Sequence, residues 1–361
     1  MTTRVAFVIP SMLGGGAEFV TTTWAQELVD RSYQVEIILL RARPDEPEPP
    51  RGVDVIVGAH LGDGRRAEAR AIERYLASDP ADIVISMMTR ANIQLLRAAR
   101  RRGGGRPIIG ISERNMPFAE KNHSALHLAA RNLAYRYYYP RADLFIAISH
   151  SVGAAFSVLS GLDSEKVWVV PNPALGKVHD RPSPSAASDA AGLTLVVPGR
   201  LVDKKRPMLA VEIADRVCED VRLERVIFFG DGPLRSDIGR LERSYVIETP
   251  GRVERWFEGL PPGSVCLLPS EVEGFANVLL EASSQGIACV VGSTAYGSSD
   301  AIIPGVTGEF ARTDGVDEYV RAVRAAMTLT VAPPAAWLDV FGTSASVDVL
   351  ERAIHGTMQR S

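Results

Sequence analysis

Short apolar runs alternate with helical patterns along nearly the whole chain, which restricts it to parallel sheets covered by helices on both faces. In the first half the strand candidates are residues 4–10, 35–40, 53–57, 82–86, 107–111, 143–148 and 167–170. Residues 171–192 break the rhythm. They are rich in Pro, Ser and Ala, and Pro173, Pro182 and Pro184 block regular structure, so the segment reads as a linker. A second series opens at Leu193 and continues with strands at 225–229, 245–248, 264–269 and 287–292. The pattern predicts an α/β protein of two doubly wound, Rossmann-like domains facing across a cleft, at residues 1–175 and 176–336. A length of 361 residues exceeds what one core usually serves and agrees with two.

Within this frame, one stretch carries the most chemistry. Ser270-Glu271-Val272-Glu273-Gly274-Phe275-Ala276-Asn277 leads from the strand at 264–269 into a helix bearing Val278, Leu279, Glu281 and Ala282. Such a junction gathers N–H groups at the positive end of a helix dipole, where a phosphate or hydroxyl can be held. Glu273 and Glu281 stand eight positions apart, one on the loop and one in the helix, so they can hold different parts of one extended ligand. A fixed Arg fork and a Lys point charge suit a leaving diphosphate, and Arg200 and Lys205 are the candidates, after the strand that begins at Leu193. Taken alone, Arg200, Lys204, Lys205 and Arg206 read equally as a charged surface turn.

The order of these elements closely resembles the retaining glycosyltransferases of family 4, which have the GT-B fold. Glu273 to Glu281 is similar to that family's E-x7-E element, Gly199-Arg200 to Lys205 to its G-R-x-x-x-x-K loop, and Gly230-Asp231-Gly232-Pro233-Leu234 to its G-D-G-P-L turn. Gly15-Gly16-Ala17-Glu18 matches its N-terminal G-G-A-E loop, and Pro304-Gly305-Val306-Thr307-Gly308 its late G-x-x-G turn. The resemblance implies a nucleotide-sugar donor, expected to be UDP-linked. Arg200 and Lys205 would clamp the diphosphate, Glu273 would contact the sugar, and Glu281 would contact the ribose. Gly15, Gly16, Gly199, Gly232, Arg252, Gly274, Phe275, Ala276 and Asn277 complete the donor-side candidates. Retention in this family is explained by same-face attack, in which the departing phosphate oxygen takes the acceptor proton. No metal or other cofactor is then expected, and no D-x-D element suits a nucleotide-bound cation. The family's last helix crosses back to the N-terminal domain, which assigns residues 337–361 to it, with 337–355 as the crossing segment after Pro333-Pro334.

Ser112-Glu113-Arg114-Asn115 ends a strand and is expected to enter a long helix at Pro117. This places Glu113 and Asn115 on the acceptor side, with Arg114 where many family members carry histidine. An arginine keeps its protons, so Arg114 would steer the acceptor or stabilise the β-phosphate rather than act as base. Helix capping with a surface ion pair is the blander reading of the three.

Other features exclude more than they assign. Gly14-Gly15-Gly16 could suggest a dinucleotide site, but Phe19 occupies the third glycine position and Glu36 lies inside a strand, which disfavours NAD chemistry. His123 and His127, at i and i+4, lack a third metal ligand. Cys218, Cys266 and Cys289 are odd in number and far apart, as in reduced cytoplasmic proteins. A net charge of −3 without a recognised module disfavours nucleic acid. Arg97, Arg100, Arg101, Arg102 and Arg106, with Lys121, Arg131 and Arg136 beside Tyr135, Tyr137, Tyr138 and Tyr139, read either as solvated helix faces or as a contact for an anionic membrane. No signal peptide is visible and no apolar run approaches the ~20 residues of a spanning helix. The expected location is therefore the cytoplasm, with peripheral contact at the inner membrane face if the acceptor is lipid-linked. Glycan and small-molecule acceptors fit equally. A sugar-nucleotide epimerase and a non-catalytic sugar-nucleotide-binding protein are the rival functions.

Overall fold

The computed structural model of the protein describes residues 2–60, 63–100, 107–117, 124–178 and 192–360. Arg101, Arg102, Arg106, Lys121, His123, Pro182 and Pro184 lie outside the described residues. The chain divides into two compact units, Met1–Pro173 together with Phe341–Ser361, and Ala174–Val340.

The first unit runs β1 (Arg4–Ile9), α1 (Gly16–Asp30), β2 (Gln34–Leu39), β3 (Val53–Val57), α2 (Gly64–Ala77), β4 (Ile83–Met87), α3 (Thr89–Arg100), β5 (Ile108–Glu113), α4 (Ala125–Tyr138), β6 (Leu144–Ala147), α5 (His150–Ser160) and β7 (Val167–Val169). Among the described residues these strands form a sheet ordered β3-β2-β1-β4-β5-β6-β7, with every pair parallel. Central strands of such a sheet have no wet face, which is why Val5 to Ile9 and Ile83 to Ile85 read as unbroken apolar runs and are fully buried. At the edge, β3 has only Val53 buried.

The second unit runs β8 (Leu193–Pro198), α6 (Pro207–Val217), β9 (Leu223–Phe229), α7 (Arg235–Gly239), β10 (Val246–Gly251), β11 (Val265–Leu268), α8 (Asn277–Ser284), β12 (Ala288–Gly292), β13 (Gly308–Ala311), α9 (Val316–Met327) and α10 (Ala335–Asp339). Its sheet order is β10-β9-β8-β11-β12-β13, again parallel. The strands expected from sequence all form. β13 was not expected, because four residues starting from a glycine turn carry little strand signal. Its pairing requires that glycine: a Cβ on Gly308 would lie 2.1 Å from the Cys289 carbonyl oxygen. Cys266 and Cys289 are buried free thiols, and Cys218 is partly exposed. Among the described residues no helix is long and apolar enough to cross a membrane.

The chain then returns to the first unit through α11 (Thr343–Met358). Its Val347, Leu350, Ala353 and Ile354 are fully buried in one core with Phe7, Trp24 and Leu28. The Trp24 indole donates to Ser346 Oγ at 2.9 Å, and that hydroxyl donates to the Pro171 carbonyl at 2.5 Å. Arg31, at the end of α1, pairs with Asp348 at 2.6 Å and Glu351 at 2.5 Å. One expectation is corrected: Pro117 stands in a turn, and α4 starts only at Ala125, where the Ser124 hydroxyl accepts from the His127 N–H. Since α11 supplies part of the first unit's core, Leu350→Ala is expected to destabilise that unit by about 2–5 kcal/mol, the usual cost of such a cavity. Denaturant unfolding followed by Trp24 fluorescence reads this, and a loss below 1 kcal/mol would contradict the packing.

Candidate functional site

In the second unit β8 and β11 are neighbours, and the connections from them lead to opposite edges of the sheet. The loops leaving their carboxyl ends therefore diverge and open a crevice, the usual ligand position in an open parallel sheet. A small hollow lies there, lined by Pro198, Gly199, Arg200, Lys205, Leu268 and Pro269. The walls are tied by backbone bonds. Gly199 N–H donates to Phe229 O at 2.8 Å, Leu201 N–H to Asp231 O at 2.9 Å, and Glu271 N–H to Lys204 O at 3.0 Å. Gly232 has φ of +155°, and a Cβ there would sit 2.4 Å from Leu201 O, so only glycine lets the turn after β9 lie against the loop after β8. Gly297 serves the other side: it donates to Glu273 O at 3.2 Å, and a Cβ would lie 2.1 Å from Gly274 O.

The structure brings Lys205 and Glu273 together as an ion pair, with side-chain exposures of 23% and 9%. An ammonium has three donors, so this contact leaves donors on Lys205 for a ligand oxygen. Arg200 is exposed on the same loop. Gly274, Phe275 and Ala276 are buried, and Asn277 opens α8. Glu281, one helical stretch further, accepts from the Trp256 indole at 2.7 Å. Burial raises its pKa, while the Trp256 bond and Lys177 work in the opposite direction. Trp256 was missed by the sequence reading, because 25 residues separate it from Glu281 and no pattern links them. Arg252 is exposed past the end of β10. Sheet order places it two strands away from β8, with β9 between.

In the first unit the candidates part company. Gly15 and Gly16 are exposed at the start of α1, and the Gly15 N–H donates to Glu18 at 2.9 Å. Asn115 is exposed, as an acceptor-side residue must be. Glu113 is not: it is fully buried and accepts from the Tyr139 hydroxyl, from Thr89 Oγ1 at 3.0 Å and from Asn92 Nδ2 at 3.0 Å. This corrects both its placement on the acceptor side and the reading of a surface cap. Arg114 is 7% exposed, lies 4.5 Å from the Trp24 ring centroid and donates to Asn172 Oδ1 at 2.7 Å. The cation is thus packed on an indole face rather than set on a surface turn, and its Nε and Nη2 make no hydrogen bond among the described residues. Those same described residues contain no group of three or more His, Cys, Asp or Glu placed to hold a metal ion.

Burial pushes the Glu113 carboxyl up to about 7, against the hydrogen bonds of Tyr139, Thr89 and Asn92. The folded state then keeps a proton that the unfolded chain releases near its ordinary value of 4.5. Stability contributed by this group is present below that value and is lost as pH rises toward about 7. Glu113→Gln is expected to flatten unfolding free energy across this window. An unchanged slope in pH-dependent denaturant titrations would contradict the buried, protonated carboxyl.

Comparison with known proteins follows the two-unit division. Residues 15–173 match the family described as glycosyl transferase 4-like domain, and residues 192–328 match glycosyl transferases group 1. The phosphatidylinositol N-acetylglucosaminyltransferase gpi3 subunit of Schizosaccharomyces pombe is 31% identical over 178 residues, 48% of this chain and 38% of that protein. The Vi polysaccharide biosynthesis protein VipC/TviE of Salmonella typhi is 31% identical over 132 residues, 34% of this chain and 22% of that protein. The chain thus spans well under half the length of these curated relatives. Among solved structures, the lipopolysaccharide outer core galactosyltransferase WaaB in its apo form superposes with a TM-score of 0.76 at 20% identity, covering 98% of this chain and 99% of that one. Anabaena Alr3699/HepE in complex with UDP-glucose gives 0.64 at 16% identity, covering 99% and 97%. With both halves matched in order and the fold shared along the full length, the chain belongs to the group 1 glycosyltransferases of family 4, built on the GT-B fold.

Proposed function

We propose that the protein is a retaining glycosyltransferase that moves a sugar from a nucleoside-diphosphate donor, UDP-linked, to an acceptor hydroxyl. The observation that carries this reading is the convergence of Arg200, Lys205 and Glu273 on the crevice between β8 and β11, with Glu281 following on α8. As the sugar–phosphate bond breaks, negative charge grows on the β-phosphate, and preorganised cations hold it best at that moment. Arg200 and Lys205 supply that charge, which makes a metal unnecessary. Glu273, paired with Lys205, orients the sugar hydroxyls, and Glu281 binds the ribose. With Glu273 held by an ammonium, same-face attack needs no protein nucleophile: the departing phosphate oxygen takes the acceptor proton. The matched Anabaena structure holds UDP-glucose, which supports the choice of nucleotide.

The acceptor is read as membrane-associated. One relative acts on phosphatidylinositol by its name. On α4, Leu126 and Leu133 are 81% and 68% exposed on the same helical face as Tyr137, and Arg100 and Arg141 lie over the Tyr137 ring. An apolar stripe with cations beside it suits a peripheral contact with anionic lipid.

A panel of sugar nucleotides tests the reading. Slow release of free sugar with the donor's anomeric configuration is expected, in the presence of EDTA as in its absence. Arg200→Ala and Lys205→Ala are each expected to lower the rate by ~100-fold. An altered sugar still bound to nucleotide would indicate an epimerase, and binding without turnover a non-catalytic protein. Loss of activity in EDTA with rescue by Mg²⁺ would overturn the metal-free clamp.

A further inference from the structure

Glu68 on α2 is buried, with 3% of its side chain exposed, and it is shared by two arginines from different strands' ends. Arg41, two residues past β2, pairs with it through Nε. Arg90, in the first turn of α3 past β4, donates to both its oxygens at 2.8 and 2.7 Å, and Gln94 adds a bond at 3.1 Å. In the sheet β1 lies between β2 and β4. The cluster therefore crosses the carboxyl end of β1, at the point where strand order reverses in the first unit, the position at which open parallel sheets take ligands. Arg65, exposed at the start of α2, is near enough to repel Arg90, as Arg41 does. Two guanidinium groups thus share one carboxylate, and a third, Arg65, stands one helical turn before it on α2. Arg41 and Arg90 keep 41% and 38% of their side chains exposed, so donors remain within reach of solvent.

We propose that Arg41, Arg65 and Arg90 form an oxyanion subsite in the first unit for a phosphate or carboxylate carried by the acceptor. Because the chain is read as a glycosyltransferase, this names the acceptor class: an anionic molecule rather than a neutral glycan. Charge favours it, since a net excess of guanidinium over carboxylate at a ligand-binding edge is relieved by an anion, and guanidinium forks match both oxyanions.

The test uses the full chain saturated with UDP, so that the proposed donor site is filled. Inorganic phosphate and glucuronate are then titrated by calorimetry. Saturable, salt-sensitive binding of at least one is expected, and the tighter of the two identifies phosphate or uronic acid as the acceptor's charge. Arg65→Ala, which leaves the Glu68 ion pairs in place, and Arg90→Gln are each expected to weaken it by about tenfold, the loss of one charge-assisted contact, with UDP affinity unchanged. No saturable binding, or full binding in both variants, overturns the subsite. UDP that fails to bind the unaltered protein would instead count against the donor reading, and phosphate binding is then measured without it.

Discussion

Parallel pairing is the constraint on which the rest of this structure depends. Two neighbouring parallel strands cannot be joined by a tight turn, so most strands open at their carboxyl ends into a loop that enters a helix covering a face of the sheet. Where the order of strands reverses, two such loops run apart. This happens between β8 and β11 in one unit and between β1 and β4 in the other. Polar and charged side chains are then free to stand at those points without disturbing the sheet: Arg200, Lys205 and Glu273 at the first, Arg41, Glu68 and Arg90 at the second.

Charge placement at the two points follows one rule. An ion pair that is partly withdrawn from water survives only if its partners compensate each other, and it then fixes side chains that would otherwise be long and mobile. Lys205 with Glu273 and Glu68 with its arginines are such arrangements. Both leave donors over. Elsewhere in the first unit the opposite occurs: Glu113 is fully buried and accepts from three donors, and Arg114 packs on Trp24, itself tied to α11 through Ser346. Those polar groups brace the fold near the end of β5.

Strands were legible from sequence because both faces of the central ones are buried, so β1, β4, β8 and β11 appear as largely apolar runs. The edge strand β13 escaped because a short pairing segment at a sheet's margin needs no such run. The carboxyl-edge loops were legible for a different reason: Gly232 obeys a steric demand that no other residue meets, and that demand is visible as a glycine. Polar residues at the end of β5 misled. Glu113 looks solvent-facing in Ser-Glu-Arg-Asn, since its partners Thr89, Asn92 and Tyr139 lie 21 to 26 residues away and burial depends on all of them. Neither the Trp256 contact with Glu281 nor the arginine cluster at Glu68 leaves a local pattern, because each joins segments brought together only by the folded sheet.

The two glutamates around the crevice provide the most direct test. If they hold opposite ends of one donor, Glu281→Gln weakens binding of free UDP and of the whole UDP-sugar alike. Glu273→Gln leaves UDP affinity nearly intact while transfer falls, because only the orientation of the sugar is lost. Calorimetry with UDP, beside steady-state transfer rates on both variants, measures the two effects separately. Equal loss of UDP affinity in both variants, or full transfer without the Glu273 carboxylate, would contradict the assignment of the site.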